Sequence, residues 1–291
     1  MTERGVRTVP GKKNGGTAQA RVREEHDLPG VWVAYGTLLA HLRRRAGLTQ
    51  PTLGAAIGYS AEQVASVEQG RRPAKAAFTE AAEGAVDAGG VLDVLQPEVD
   101  RAKLPRFFRN FAAIEAEVLS RLSYDPLLVP GLLQTEAYAR AVFAGHCPPF
   151  SEEIVDQHTE ARLARQLLLT RDPMAELSFI IGEEALRNPV GGPEVLREQW
   201  HRLLELGRLR NVEVQVMPAA SGFHVGLDGP FVVLGTKDFQ RLGYIESQEV
   251  GCVISEPSNV SEFDSRYGKL RSQALNGQES ARFIERLVGA T

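Results

Sequence analysis

From residue 32 to about residue 95, apolar side chains recur every three or four positions in short runs, the spacing of amphipathic helices. In "VAYGTLLAHLRRRAG" the residues Leu38, Leu39, Leu42 and Ala46 share one face, and Gly47 follows as a helix stop. Further helices are predicted over 75–88 and 90–95. "LQPEVDRAKLPRFF" carries two prolines and reads as a linker over 96–107. Beyond it, helices are predicted over 111–123, 131–144 and 151–170. A strand at 177–182, helices at 183–188 and 193–208, and the period-two alternation of "VEVQVMP" follow. "GPFVVLGT", "RLGYIES" and "VGCVIS" add three short strands, and helices over 259–275 and 278–288 close the chain. The pattern predicts an all-α domain over 32–95 and an α/β domain, a mixed sheet with flanking helices, over 108–288.

Between the first helix and residue 75 the residues specify two short helices around a tight turn. Thr49 suits an N-cap and Pro51 falls in a first turn, where amide donors lack partners anyway. Leu53 and Ile57 form a buried face, Gly54 admits a close neighbour, and Gly58 suits a positive φ. Ser60 and Gln63 make an S-x-x-Q capping box, after which Val64 and Val67 point inward. The opposite face holds Glu62, Ser66 and Gln69, polar groups suited to a major groove. Ala61 can meet a thymine methyl, Glu62 a cytosine amino group, and Ser66 either. Gln50 is placed for a phosphate, and Arg71, Arg72 and Lys75 follow as backbone anchors. The expected DNA-facing set is therefore Gln50, Ser60, Ala61, Glu62, Gln63, Ser66, Arg71, Arg72 and Lys75.

A net charge of −4 looks unsuited to a nucleic-acid partner, but the charge is divided. Residues 1–106 hold 15 Lys/Arg and 12 Asp/Glu, a balance of +3; the remainder hold 18 and 25, a balance of −7. Residues 1–23 alone carry six basic groups against one acid, so 1–30 reads as a disordered basic arm. Counterion release depends on local positive charge, so the acidic part is expected to face away from DNA. Two distant cysteines, no apolar span and no secretory leader predict a cytoplasmic protein without disulfides.

The helix-1 arginine, "LTQ", small residue 54, Gly58 and "E-x-G" at 68–70 resemble the XRE-type, lambda-repressor-like helix-turn-helix domain. The resemblance implies a pair between Arg43 and Glu68, with a structural role. "PGLLQTEAYARAV", "EEALRNPVGG", "VQVMP" and "GPFVVL" are similar to the C-terminal domain of antitoxin-like regulators of actinomycetes, the WhiJ type. That likeness implies a transcription factor that binds promoter DNA. Its C-terminal domain would bind a small protein encoded by an adjacent gene, which modulates DNA binding. Recognition domains of this kind read half-sites in pairs, so a homodimer is expected.

Candidate chemistry in the second domain is thin. Glu183, Glu184, His201, His224, Tyr244 and Glu246 lie near no GxSxG, HExxH, Walker A or dinucleotide motif. Glu183 and Glu184 are adjacent on one short helix and diverge. His146 and Cys147 have no second cluster, so no metal and no cofactor are expected. The remaining alternative is a small-molecule sensor. Its pocket would draw on the loop 221–231 and on Trp200, with Tyr138, Phe223, His224 and Tyr244 as partner- or ligand-binding candidates. A sensor predicts an enclosed apolar pocket, and a protein-binding domain predicts an exposed apolar groove.

Overall fold

The computed structural model describes residues 29–104, 108–248 and 250–289. The basic arm expected over 1–30 lies outside these up to residue 28, and Gly30 already begins the first helix. The described chain divides into one unit ending at Val99 and a second beginning at Asp100.

The first unit is helical: α1 (Gly30–Arg45), α2 (Gln50–Ile57), α3 (Ala61–Glu68), α4 (Ala76–Ala85) and α5 (Val91–Arg101). Tyr35, Leu39, Leu53, Val64, Phe78 and Leu92 fill its core. Each contributes roughly 1.5–3 kcal/mol of apolar burial. The buried face of α1 also includes Trp32, Leu42 and Arg43, whereas Ala46 is exposed and Leu38 only half-buried. Polar groups in this core form a chain. Tyr35 Oη lies 2.7 Å from Thr79 Oγ1, which donates to Gln96 Oε1 at 2.5 Å, and Gln96 Nε2 reaches the Ala74 carbonyl at 3.1 Å. Burial pushes the Tyr35 phenol up to about 12.

That chain explains a correction. The linker expected from residue 96 begins later, because α5 runs to Arg101 with Pro97 inside it. An interior proline costs a helix about 3 kcal/mol. Burial of Leu92, Gln96 and Val99 offsets the loss. So does the Glu83 carboxylate, which accepts from the amides of Gly90, Leu92 and Asp93 at the start of α5.

The second unit comprises α6 (Arg109–Glu115), β1 (Ser120–Asp125), α7 (Glu136–Ala144), α8 (Glu152–Arg165), β2 (Glu176–Gly182), α9 (Glu183–Arg187), α10 (Pro193–Leu206) and β3 (Val212–Met217). It continues with β4 (Phe231–Gly235), β5 (Arg241–Ser247), β6 (Val250–Ile254), α11 (Pro257–Gln273) and α12 (Gly277–Gly289). Six strands form one mixed sheet, ordered β3-β2-β1-β4-β5-β6. β1, β2 and β3 run parallel, while β4, β5 and β6 continue antiparallel from β1. Phe111, Phe179, Trp200 and Leu203 belong to the larger apolar cluster; Tyr124, Ile180, Val233 and Tyr267 form a smaller one.

Two expectations fail here. The helix predicted over 111–123 ends at Glu115, and its second half is the central strand β1. β1 was obscured because one of its two buried faces, that of Arg121, Ser123 and Asp125, is polar. Arg121 Nε donates to Glu115 Oε1 at 2.8 Å, Arg121 Nη1 to Ser123 Oγ at 2.8 Å, and Ser123 Oγ to Asp125 Oδ2 at 2.7 Å. Burial alone would raise the Glu115 carboxyl, but the Arg165 and Arg121 guanidinium groups hold it below the usual carboxylate range. The helix predicted over 131–144 is also shorter. A 3-10 turn at Gly131–Leu133 precedes α7, which Thr135 caps by accepting from the Tyr138 amide at 3.2 Å.

The sheet's two edges differ. β3 is closed by the C-terminal segment: Ser280 Oγ accepts from the Val216 amide at 2.9 Å, and the Leu275 amide donates to the Val216 carbonyl at 2.9 Å. β6 pairs with β5 alone.

Candidate nucleic-acid interface

Local chemistry builds the helix-turn-helix. Thr49 Oγ1 accepts from the Thr52 amide at 3.2 Å, and Thr52 Oγ1 accepts from the Thr49 amide at 2.7 Å. Ser60 and Gln63 form the expected box: Ser60 Oγ accepts from the Gln63 amide at 3.1 Å and Gln63 Oε1 accepts from the Ser60 amide at 2.8 Å. Gly58, at φ 78°, turns the chain between the helices. A Cβ at Gly54 would lie 2.6 Å from the Tyr59 carbonyl oxygen, so only glycine admits this turn. Gly36 fulfils the same need on α1, where a Cβ would sit 2.3 Å from the Val67 carbonyl oxygen. Reading the sequence missed Gly36; its signal was a glycine inside an otherwise apolar helix face.

The pair implied by resemblance is present. Arg43 Nε donates to Glu68 Oε1 at 2.5 Å and Arg43 Nη2 to Glu68 Oε2 at 2.9 Å, with side chains only 9% and 5% exposed. Arg43 Nη1 also reaches the Leu48 carbonyl at 2.8 Å. One side chain thus ties α1 to the loop before α2 and to the end of α3. Hydrogen bonding to Glu68 raises the Arg43 guanidinium further still.

Gln50 joins this network: its Nε2 donates to Glu68 Oε2 at 2.8 Å. One amide hydrogen is therefore committed inside the domain, which leaves the second for a phosphate. On α3, Glu62 and Gln63 are exposed, and Ala61, Ala65 and Ser66 are half-buried, opposite buried Val64 and Val67. Gln69 is exposed just beyond. The Ser66 carbonyl accepts from the Arg71 and Arg72 amides at 3.0 and 3.3 Å, which folds the basic exit back over the end of α3. Buried Ala74 pins that exit, and Arg71, Arg72 and Lys75 are exposed on it. A short capped helix with a polar face and basic flanks is what a major groove requires.

In the second unit, the four partner- or ligand-binding candidates do not converge. Tyr138 is wholly buried and its Oη accepts from the Val129 amide at 3.4 Å. Tyr244 stacks on Phe111 with ring centroids 3.9 Å apart and donates to Glu246 Oε2 at 2.8 Å. Both belong to the larger cluster. His224 is buried beside Tyr124, of the smaller cluster, and its Nδ1 accepts from the Gly226 amide at 3.2 Å; Phe223 is 82% exposed. Trp200 donates to the Leu186 carbonyl at 2.9 Å, a satisfied core residue. Glu183 is held by Arg187 at 2.6 Å, while Glu184 is exposed.

The "PGLLQT" stretch is organised by three glutamines. Gln134 Nε2 donates to the Val129 carbonyl, Gln166 Nε2 to the Gln134 carbonyl, and Gln199 Nε2 to the Leu133 carbonyl, at 2.7–2.8 Å. Arg162 Nη1 donates to Gln134 Oε1 at 2.8 Å, and burial lowers this guanidinium to about 10. Elsewhere a cleft of about 410 Å³ is lined by Leu163, Leu167, Leu169, Leu206 and Leu209, with Arg202 and Glu205 beside them. Leu167 is 72% exposed. Among the described residues no three His, Cys, Asp or Glu side chains converge on a metal position, and no helix is long and apolar enough to cross a membrane.

Comparison with known families adds two matches. Residues 34–95 match a helix-turn-helix domain, and residues 108–286 match a domain of unknown function, DUF5753. No curated protein and no solved structure matches the chain.

Proposed function

The chain belongs to the DUF5753 family and carries a helix-turn-helix domain, and from that premise we propose a sequence-specific transcriptional regulator that acts as a homodimer. The observation that carries the reading is α3: an eight-residue helix, capped by Ser60, polar on its outer face and followed by exposed Arg71 and Arg72. Glu62, Gln63 and Ser66 read base edges; Arg71, Arg72 and Lys75 hold phosphates. Glu62 repels phosphate unless it meets a cytosine amino group, so it sharpens selection more than it adds affinity.

The DUF5753 domain receives the signal, and its source is a small protein encoded beside the regulator. Two features support a protein over a metabolite. The candidate ligand residues are split between two clusters, and the leucine-lined cleft is open to solvent. The −7 balance beyond residue 106 suits a basic partner.

The test is fluorescence anisotropy on DNA from upstream of the chain's own gene, titrated with salt, with and without the neighbouring gene's product. Salt-sensitive binding that the neighbour alters is the expected result. Specific binding that ignores the neighbour rejects the partner, and absence of specific binding rejects this DNA as the target.

A further inference from the structure

We infer that the β6 edge of the sheet is where a second copy of this chain docks, strand against strand, in a two-fold arrangement centred on Cys252. The inference rests on the homodimer proposed above and assigns its interface.

A sheet edge exposes unpaired amides and carbonyls, and proteins commonly cover or block it. Here the two edges are treated oppositely. On β3 the outward amide and carbonyl of Val216 are taken by Ser280 and Leu275. β6 has the sequence VGCVI, with no proline and no charged residue to oppose pairing. Among the described residues no backbone hydrogen bond covers its outer side. The same hairpin carries exposed apolar groups: Val250 is 69% exposed, Ile245 is 40% exposed and Cys252 is exposed.

The register narrows the occupant to a copy of the same strand. β5 and β6 pair Ser247 with Val250 and Ile245 with Cys252. The Thr236 amide donates to the Gln240 carbonyl where β4 meets β5, so Leu242 and Tyr244 bond to β4, and Gly243, Ile245 and Ser247 bond to β6. Val250, Cys252 and Ile254 therefore bond to β5, and Gly251 and Val253 turn their backbone groups outward. Antiparallel pairing of two β6 strands uses all five residues only when Cys252 faces its own counterpart. Gly251 and Val253 then exchange hydrogen bonds across the axis, and Val250 lies against the other copy's Ile254. An uncharged strand meets itself without like-charge repulsion, which is the self-complementarity a two-fold interface needs.

Cys252 then occupies a non-hydrogen-bonded position, where facing Cα atoms approach to about 4.5 Å, inside the range a disulfide spans. Five paired residues per copy make a small interface beside the ~1,600 Å² of a standard complex, so the free dimer dissociates on dilution.

The experiment is sedimentation velocity on the full chain over a concentration series. Cys252→Lys and Cys252→Glu are run separately and mixed, beside copper-catalysed oxidation of Cys147→Ser. Cys252 is an exposed position, so these substitutions leave the fold intact. The expected results are a concentration-dependent dimer for the unaltered chain and at least about tenfold weaker association for each charged variant. Association returns when the two variants are mixed, and a Cys252-dependent covalent dimer forms on oxidation. A dimer that Cys252→Lys leaves unchanged overturns the β6 assignment while keeping the homodimer. A chain monomeric up to about 100 µM, where a 1 µM complex is mostly assembled, overturns both. β6 amides protected from exchange only by a different protein would give the edge to that occupant instead.

Discussion

The Arg43–Glu68 pair lends itself to a quantitative test. Both side chains are almost fully buried, and five polar atoms of Arg43, Glu68 and Gln50 meet within 2.5–2.9 Å. Glu68→Leu strands a buried guanidinium with only the Leu48 carbonyl, and Arg43→Met strands a carboxylate with only Gln50. Removing one member of a buried pair costs about 3–5 kcal/mol, whereas replacing both by apolar groups of similar volume is often neutral. A helical unit of this size has roughly 4–10 kcal/mol of stability in total, so either single substitution consumes a large share of it. Single variants should melt about 12–40 °C lower, given ~4–8 °C per kcal/mol, and Arg43→Met with Glu68→Leu should recover most of the loss. Trp32 lies in this unit and Trp200 in the other, so Trp200→Phe leaves a fluorophore that reports the first unit alone. Urea unfolding of the four members of the cycle then yields the coupling. With each single variant losing about 3–5 kcal/mol and the double variant near neutral, a coupling of about 6–10 kcal/mol is expected. Coupling below about 0.5 kcal/mol would refute the idea that the pair fastens α3 to α1.

Three further outcomes follow from the geometry. His158 is half-buried between Phe143 and Phe150 with its Nδ1 buried and unpartnered, and desolvation with the nearby Arg162 charge lowers its imidazole to about 4. Its pKa is lower folded than unfolded, so stability is intact above about pH 6.5 and declines by up to ~3 kcal/mol as pH falls toward 4. His158→Phe should flatten that slope in urea unfolding followed by Trp200 fluorescence in a Trp32→Phe background, and an unchanged slope would exonerate His158. Arg71→Ala with Arg72→Ala should weaken binding to all DNA sequences and reduce the salt slope by about 2, one per lost phosphate contact; an unaltered slope would move the basic exit off the DNA. Glu62→Gln should change the preferred base at one position in a binding-site selection more than it changes overall affinity, and an identical preferred site would remove Glu62 from readout.

The helix-turn-helix was legible because its determinants are local. Thr49, Ser60 with Gln63, and Gly58 each act within a few residues, and the Thr49 cap, the Ser60–Gln63 box and the turn appear where the sequence placed them. β3 was legible through its period-two alternation, and β2, β4, β5 and β6 as short apolar runs bounded by turn residues. β1 was not, because Arg121 and Ser123 face inward; Arg121 is satisfied by Glu115, which lies in another element, and Ser123 by Arg121 and Asp125. A buried polar face reads as an exposed one until its partners are known. The same blindness dispersed Tyr138, Tyr244 and His224, since neither strand order nor the two packing clusters can be read from spacing. Pro97 misled in the opposite direction: its local cost was plain, and the Gln96 and Glu83 bonds that offset it were not.

The closure of β3 by Ser280 has a consequence in time. Val216 and Ser280 are 64 residues apart, so a ribosome releases the strand well before the side chain that seals it. At synthesis rates of roughly 5–20 residues per second that delay lasts about 3–13 s. Throughout it the nascent sheet presents two open borders, the β3 border among them, and neighbouring nascent chains on the same message carry identical ones. Synonymous codons that slow translation between the two sites lengthen this window without altering a single residue of the finished protein.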